Sequence, residues 1–470
     1  MLFNSIEFLL FLPVVFALYW ACRGVRWQNA FTVVASYFFY GCWDWRFLGL
    51  IAVTTLCSYV SGLAVERWRD SRGSRVAVAA SIVINLGILV VFKYYNFFAG
   101  SLVDLLAMFG WHADWATLNV VLPVGISFYT FQAIGYSVDV YRGTVKAERN
   151  WVSFFAFISF FPQLVAGPIE RAGNLLPQFG KRRTFSYDLA ADGMRQMLWG
   201  FFKKLVVADK CATTVDMYFS NYGHYDGPTL AYGVILFAIQ IYADFSGYSD
   251  IAIGVAKLFG IRLTRNFNNP FFAVSMSDFW QRWHISLMSW LRDYVYIPLG
   301  GGRRGRVRKV LNVWAVFLLS GLWHGANWTY VAWGGYNALL MTPRALAGKR
   351  SKTAEDMGYI ERILRRIVVF LLFLVGVAVF RSATITDAVN YLWRIFSLAD
   401  GRNRINDMVI LAYIAVMLAA EWLLRRHEHG LQIGGGVIAH RWIRRAIYFL
   451  LIMAIFWHGQ HASQFIYFQF

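Results

Sequence analysis

Long apolar stretches recur from one end of this chain to the other, and they constrain its fold more than any motif does. They lie near 6–22, 30–41, 46–65, 76–92, 118–140, 151–167, 228–260, 310–340, 361–380, 408–424 and 443–460. A helix that crosses a bilayer core needs roughly 20 apolar residues. Several of these runs are short, and 228–260 and 310–340 each have room for a bend or for two helices. With re-entrant pieces counted, the expected total is about 10–13 helices. Of the 470 residues, 58% are hydrophobic and 15% charged, where soluble domains carry roughly 25% charge. The mean hydropathy is +0.46. The chain therefore reads as an all-α polytopic membrane protein. No internal repeat and no long Pro/Gly linker divides it, so a single integral-membrane domain over 1–470 is expected.

The formal charge of +19 is distributed between the apolar runs. Arg23 and Arg26 follow the first run, RWRDSRGSR (67–75) follows the third, and GGRRGRVRK (301–309) precedes a Trp/His-rich run. Further basic clusters lie at 349–352, 362–366 and 425–445. The positive-inside rule accounts for this pattern, and a nucleic-acid-binding role is not indicated. If these loops face the cytoplasm, both chain termini lie outside it. The first twenty residues, MLFNSIEFLLFLPVVFALYW, have no basic leader and no small-residue cleavage site, so a retained first helix is expected. The last helix runs outward to a tail, 461–470, that contains QFIYFQF, with Tyr467 as its one hydroxyl among phenylalanines.

Two segments have an amphipathic pattern suited to the headgroup zone. DLAADGMRQMLWGFFKKLVVADK (188–210) places Arg195, Lys203 and Lys204 among apolar residues at helical spacing. SDFWQRWHISLMSWLRDYVYIPLGGG (277–302) interleaves Trp, Arg, Asp and His in what reads as a near-continuous helix ended by Pro298 and the glycines. Cys22, Cys42, Cys57 and Cys211 have no metal-ligand or CxxC spacing and read as small apolar residues.

Ionisable side chains within apolar runs are costly, by at least ~2.5 kcal/mol for charged types, and so mark candidate sites. SGLWHGANW (320–328) puts His324 in the middle of such a run, with Gly321 and Gly325 permitting a close approach or a helix break. A neutral imidazole is the usual general base. The competing reading is a core histidine bonded to a neighbouring helix. His284, in FWQRWHISLMSWL, can face the same cavity from another helix, or can sit at an interface without chemistry. Neither histidine lies in a zinc-binding frame, and no metal site is expected. Asp244 and Asp250 in YADFSGYSDIAIG point about 120° apart on a regular helix. Structural pairing with Arg or backbone N–H groups suits them better than an acid/base dyad. Arg303, Arg304 and Arg306 follow three glycines; they serve either as positive-inside charge or as contacts for the phosphates of a cytosolic donor.

FFPQLVAGPIERAGNLLPQF (160–179), YADFSGYSDIAIG, SDFWQRWHISLMSWLRDYVYIPLGG and SGLWHGANWTYVAWGGYNAL occur in this order. Together they resemble the bacterial membrane-bound O-acyltransferases (MBOAT), specifically the alginate O-acetyltransferase type. The resemblance covers nearly the whole chain and is densest over 118–340. It implies a helical fold around a central tunnel, with His324 as the catalytic histidine and His284 as a second polar group lining the tunnel. Trp323, Asn327, Arg303 and Arg304 become candidate substrate-binding residues. The implied reaction takes an acetyl group from a cytosolic thioester, acetyl-CoA, with no bound cofactor. The implied recipient is an exported polysaccharide, reached through a secreted SGNH-type (Ser-His-Asp) esterase partner. In the related D-alanylation systems an aromatic peptide with a tyrosine carries the acyl group, and Tyr467 resembles that residue. Anchoring of the last helix in an aromatic belt is the alternative. The implied location is the bacterial inner membrane, in contact with its lipids. A polysaccharide or lipid flippase, or a structural subunit of an export complex, would also show many spans and buried polar groups.

Overall fold

The computed structural model describes residues 1–470 except 112–114, 116, 119–120, 166, 348–353, 406, 434–439, 460–464 and 467–470. The regular structure of the described residues is helical; pairing of extended backbone is limited to one isolated bridge between Tyr225 and Arg402. Four helices are long and apolar enough to cross a membrane: Trp45–Arg67, Arg72–Met108, Gly227–Leu258 and Tyr359–Arg381. The apolar helices Ile6–Ala21 and Met408–Leu423 are shorter. Leu9, Val34, Leu371 and Phe456 are among many large apolar side chains left on the protein surface, which suits a lipid surround rather than water. The chain is an all-α polytopic membrane protein.

The helices gather into two compact units, Met1–Ala190 with Val255–Leu263, and Ala191–Gly254 with Thr264–Phe470. In the first unit, α1 (Ile6–Ala21) and α2 (Val25–Gly41) interleave phenylalanines. Phe8, Phe11 and Phe39 stack and tilt against one another, and Phe161 closes the cluster. Arg183 is buried there with neutral partners. It donates to the Tyr19 hydroxyl and the Asn29 amide oxygen, each at 2.7 Å, and lies against the Tyr19 and Phe179 rings. Such a cation is tolerable only when its N–H groups are this fully engaged.

Most of α3 (Tyr187–Phe201), which continues as a wider turn over Phe202–Ala208, and most of α4 (Gly227–Leu258) lie in the second unit. The run 228–260 does not divide into two helices: α4 is one uninterrupted helix, about 48 Å long at 1.5 Å per residue. Its approach to α3 is close because both helices carry glycine where they cross. A Cβ on Gly200 would lie 2.6 Å from the Gly247 carbonyl oxygen, and one on Gly247 would lie 2.8 Å from that of Gly200.

Lys203 and Lys204 depart from the interfacial placement expected of 188–210, since they are 3% and 0% exposed. Carboxylates from α4 and from the next turn meet them. Lys203 Nζ lies 2.6 Å from Asp250 and 2.9 Å from the Ser246 hydroxyl. Lys204 Nζ lies 2.7 Å from Asp244 and 2.9 Å from Asp209. Consecutive helical residues diverge by about 100° and Asp244 and Asp250 by about 120°, so each lysine meets its own aspartate. Structural pairing of the two aspartates is thus observed, with lysine in place of the expected arginine.

The run 310–340 does divide, into α5 (Arg306–His324) and α6 (Trp328–Ala347). They pack tightly because Gly321 and Gly334 leave no room for a Cβ against the Tyr330 and Phe317 carbonyls. Helix α7 (Tyr359–Arg381) packs on α6.

Replacing Lys204 with Met leaves Asp244 and Asp209 buried without their cation. The expected loss is about 3–5 kcal/mol, seen as a lower unfolding midpoint of the detergent-solubilised protein. Adding Asp244→Asn should recover part of that loss.

Candidate active site

The segment 277–302 is not one helix. Met276–Arg282 ends, Trp283 is extended, and His284 takes a left-handed conformation (φ 45°, ψ 51°) before a second helix, Ile285–Leu291. No glycine or proline causes this break. It is imposed by the preceding loop, whose Asn268 N–H donates to the Arg282 carbonyl at 2.9 Å. The Ile285 N–H donates to the Asn266 carbonyl, also at 2.9 Å. Asp278 stiffens the approach: it accepts from the Val274 N–H at 3.1 Å and pairs with Arg282 at 2.6 Å. A non-glycine residue held at positive φ costs of order 1–3 kcal/mol and points to a functional position.

The kink turns His284 into the interior, where it is 1% exposed, rather than to an interface. His324 ends α5 and is 5% exposed. The two imidazole centroids are 6.4 Å apart. Aromatic rings wall the space around them: Phe245 from α4 lies 4.6 Å from His284, and Trp333 from α6 and Phe380 from α7 lie 5.1 and 5.4 Å from His324. Trp323 touches both imidazoles, at 5.5 and 5.1 Å. Hydrogen bonds span about 3 Å, so two rings at this separation can reach one small reacting group between them. Apolar surroundings of this kind strengthen whatever polar contact a group between the rings makes.

The other expected site residues are dispersed. Asn327 caps α6, accepting from the Thr329 N–H at 3.0 Å, and its amide donates to the Ala383 carbonyl at 3.0 Å. Arg303 and Arg304 are exposed in the turn before α5, with the Arg304 side chain folded against Gly300. Tyr467 lies outside the described residues. Its predecessors are held in the second unit: Phe465 is 1% exposed with its ring 4.4 Å from that of Tyr248 and 5.9 Å from that of Phe245. The Ile466 N–H donates to Asp244 at 2.7 Å. Among the described residues, no group of three or more His, Cys, Asp or Glu side chains is arranged to hold a metal ion.

Two polar residues escaped the sequence reading. Ser320 lies one turn before His324 on the same face of α5, buried and without a hydrogen-bond partner among the described residues. Asn266, in the loop NFNNP, lies 3.2 Å from His284 Nδ1 through its amide oxygen. A cluster of amides beside a proline was the available signal. Asn266 also lines a polar cleft shared with Lys203, Ser246, Asp250, Arg265 and Glu421. There the Tyr242 hydroxyl lies 2.9 Å from each Glu421 oxygen.

Residues 148–382, half of the chain, match the family model described as MBOAT, membrane-bound O-acyltransferase family. The chain is 37% identical over 446 residues to the "Probable alginate O-acetylase AlgI" of Pseudomonas aeruginosa, covering 94% of this chain and 80% of that protein. It is 30% identical to the peptidoglycan O-acetyltransferase of Helicobacter pylori, covering 100% and 98%. Similarity to the teichoic acid D-alanyltransferase of Bacillus subtilis, 30% identical, covers 48% of this chain and 59% of that one. The family match over residues 148–382 and the 37% identity across most of the chain show that the chain is an O-acyltransferase belonging to the membrane-bound O-acyltransferase family.

Proposed function

We propose that this protein takes an acetyl group from acetyl-CoA on the cytosolic side and passes it outward for O-acetylation of an exported polysaccharide. The observation that carries this reading is the pair of buried histidines, 6.4 Å apart between aromatic walls. The names of two relatives, an alginate O-acetylase and a peptidoglycan O-acetyltransferase, support acetyl as the acyl group and a polymer as its destination. The basic loops support a cytosolic face at 301–309 and 425–445. That would put Arg303 and Arg304 where donor phosphates arrive, and the protein in the bacterial inner membrane with both termini extracytoplasmic.

A thioester is already activated, so the protein has to deliver a hydroxyl, remove its proton and keep water out. His324 takes the hydroxyl proton as the oxygen attacks the thioester carbonyl. The C–S bond then breaks and the proton passes to the departing thiolate, giving an acetyl ester and free CoA. His284 contacts the reacting group from the other side and orients it, or polarises the carbonyl when protonated. Trp323, touching both rings, shapes the space between them.

Tyr467 is the proposed first acceptor. Its phenol forms an acetyl ester in the site, and a serine of an extracytoplasmic SGNH-type esterase then takes the acetyl group, releases the phenol and esterifies a sugar hydroxyl. The burial of Phe465 beside Phe245, which itself packs on His284, supports this order of events.

With His324→Ala, the O-acetyl content of the exported polymer should fall by about 10²–10⁴-fold in initial rate, at unchanged protein level. Unchanged acetylation would remove the enzymatic assignment of this histidine.

Tyr467→Phe keeps an aromatic anchor and removes the hydroxyl. Mass spectrometry of the C-terminal peptide after incubation with labelled acetyl-CoA should find the label on the parent and none on the variant. Acetylation of the polymer at the parental rate in the variant would refute the carrier.

A further inference from the structure

We propose that Asn266 is a positioning residue that fixes the tautomer of His284 and thereby decides which of its nitrogens faces the reaction. This rests on the reading that His284 contacts the reacting group. The orientation of the Asn266 amide follows from its neighbours. The Ser286 backbone N–H can only donate, and it points at one end of the amide at 3.3 Å, joined there by the Ser286 hydroxyl at 2.9 Å. That end is therefore the oxygen. The nitrogen end donates to the Ser249 hydroxyl at 3.2 Å. Both amide ends are thus tied, one to the helix that follows His284 and one to α4.

The same amide oxygen lies 3.2 Å from His284 Nδ1. An oxygen facing an imidazole nitrogen can only accept, so Nδ1 carries the proton and, in the neutral ring, Nε2 carries the lone pair. In that state His284 accepts hydrogen bonds at Nε2 and cannot donate one to a thioester carbonyl. Its work is to receive the hydroxyl of the incoming acyl acceptor and point that oxygen at the donor, while His324 across the chamber takes the proton. The left-handed backbone at His284 serves this arrangement. It lets the chain reverse tightly enough for the ring of residue 284 and both donors of residue 286 to reach one oxygen. The groups packed on the His284 ring are Phe245, Phe267 and Trp323, with His324 as the other titratable side chain in ring contact. The Asn266 amide oxygen faces Nδ1 and so bears on one of the two nitrogens.

The test compares five variants in detergent or native membranes, with acetyl transfer from labelled acetyl-CoA as the readout and thermal unfolding as the control. Asn266→Leu keeps the side chain's branching and heavy-atom count and removes the amide. Its kcat should fall by about 10- to 100-fold, as when other side chains that orient a working imidazole are lost, with the KM for acetyl-CoA little changed. Asn266→Asp keeps an acceptor facing Nδ1, and Ser249 can turn its hydroxyl to donate to it. The loss there should be less than about tenfold. The double variant Asn266→Leu/His284→Ala should be no slower than His284→Ala alone, because the first residue acts through the second. If His284→Ala retains full turnover, the underlying reading of His284 fails. If His284→Ala is slow while Asn266→Leu matches the parent, that reading stands and the tautomer assignment is overturned. Additive losses in the double variant, or a folded Asn266→Asp as slow as Asn266→Leu, would overturn it as well. Should Asn266→Leu fail to fold, Asn266→Asp and its double with His284→Ala decide the question alone.

Discussion

The second unit depends on the two ion pairs that join the turn after α3 to α4. Lys203 and Lys204 are neighbours in sequence, yet each reaches a different aspartate, so α4 is fixed in rotation as well as in position. A single buried pair would leave that helix free to turn about one point. The rotation matters because α4 also presents Phe245 to the His284 ring and Ser249 to the Asn266 amide. Buried pairs like these contribute little net stability compared with apolar packing, but a misaligned helix would leave charges unpaired in a dry interior. Specificity of register is thus set by charge, while cohesion comes from the aromatic packing and the glycine-lined crossing of α3 and α4.

Sequence showed the helical, membrane-embedded class plainly, because apolar run length is a property of the chain itself. His324 was legible for the same reason: an imidazole between glycines in an apolar run is conspicuous, and both glycines act as expected, one at a close helix contact and one at the helix end. The kink at His284 was not legible. WQRWHIS contains neither glycine nor proline, and the reversal there is enforced by backbone pairing with residues 266–268, which lie outside the segment. Lys203 and Lys204 were misplaced because an amphipathic stretch with lysines has the same pattern at an interface as in a core. Of the carboxylates that decide between the two, Asp209 lies within the stretch, but Asp244 and Asp250 lie some forty residues further on. Asn327 drew notice by sitting in the histidine motif, but its amide is engaged in capping a helix.

The chamber itself has a simple physical character. Its rings come from α4, α5, α6, α7 and the loop that carries Phe267. Rings give an apolar surface with few rotamers to order, and they pack against both imidazoles. The polar cleft bounded by Lys203, Asp250 and Glu421 has the opposite character, with its charges largely neutralised by one another. Asn266 stands between these two environments and belongs to both.

Asp244 divides its two oxygens between a lysine of the core and the backbone of residue 466. A carboxylate that grips a backbone N–H is indifferent to the side chain at that position but strict about chain length. Substitution at Ile466 leaves the grip intact, whereas insertion or deletion of one residue just before it offers the carboxylate a neighbouring N–H and shifts the chain by up to about 3.5 Å. The position of residue 466 is therefore measured by residue count, and the same aspartate that sets the rotation of a buried helix also sets the zero of that scale.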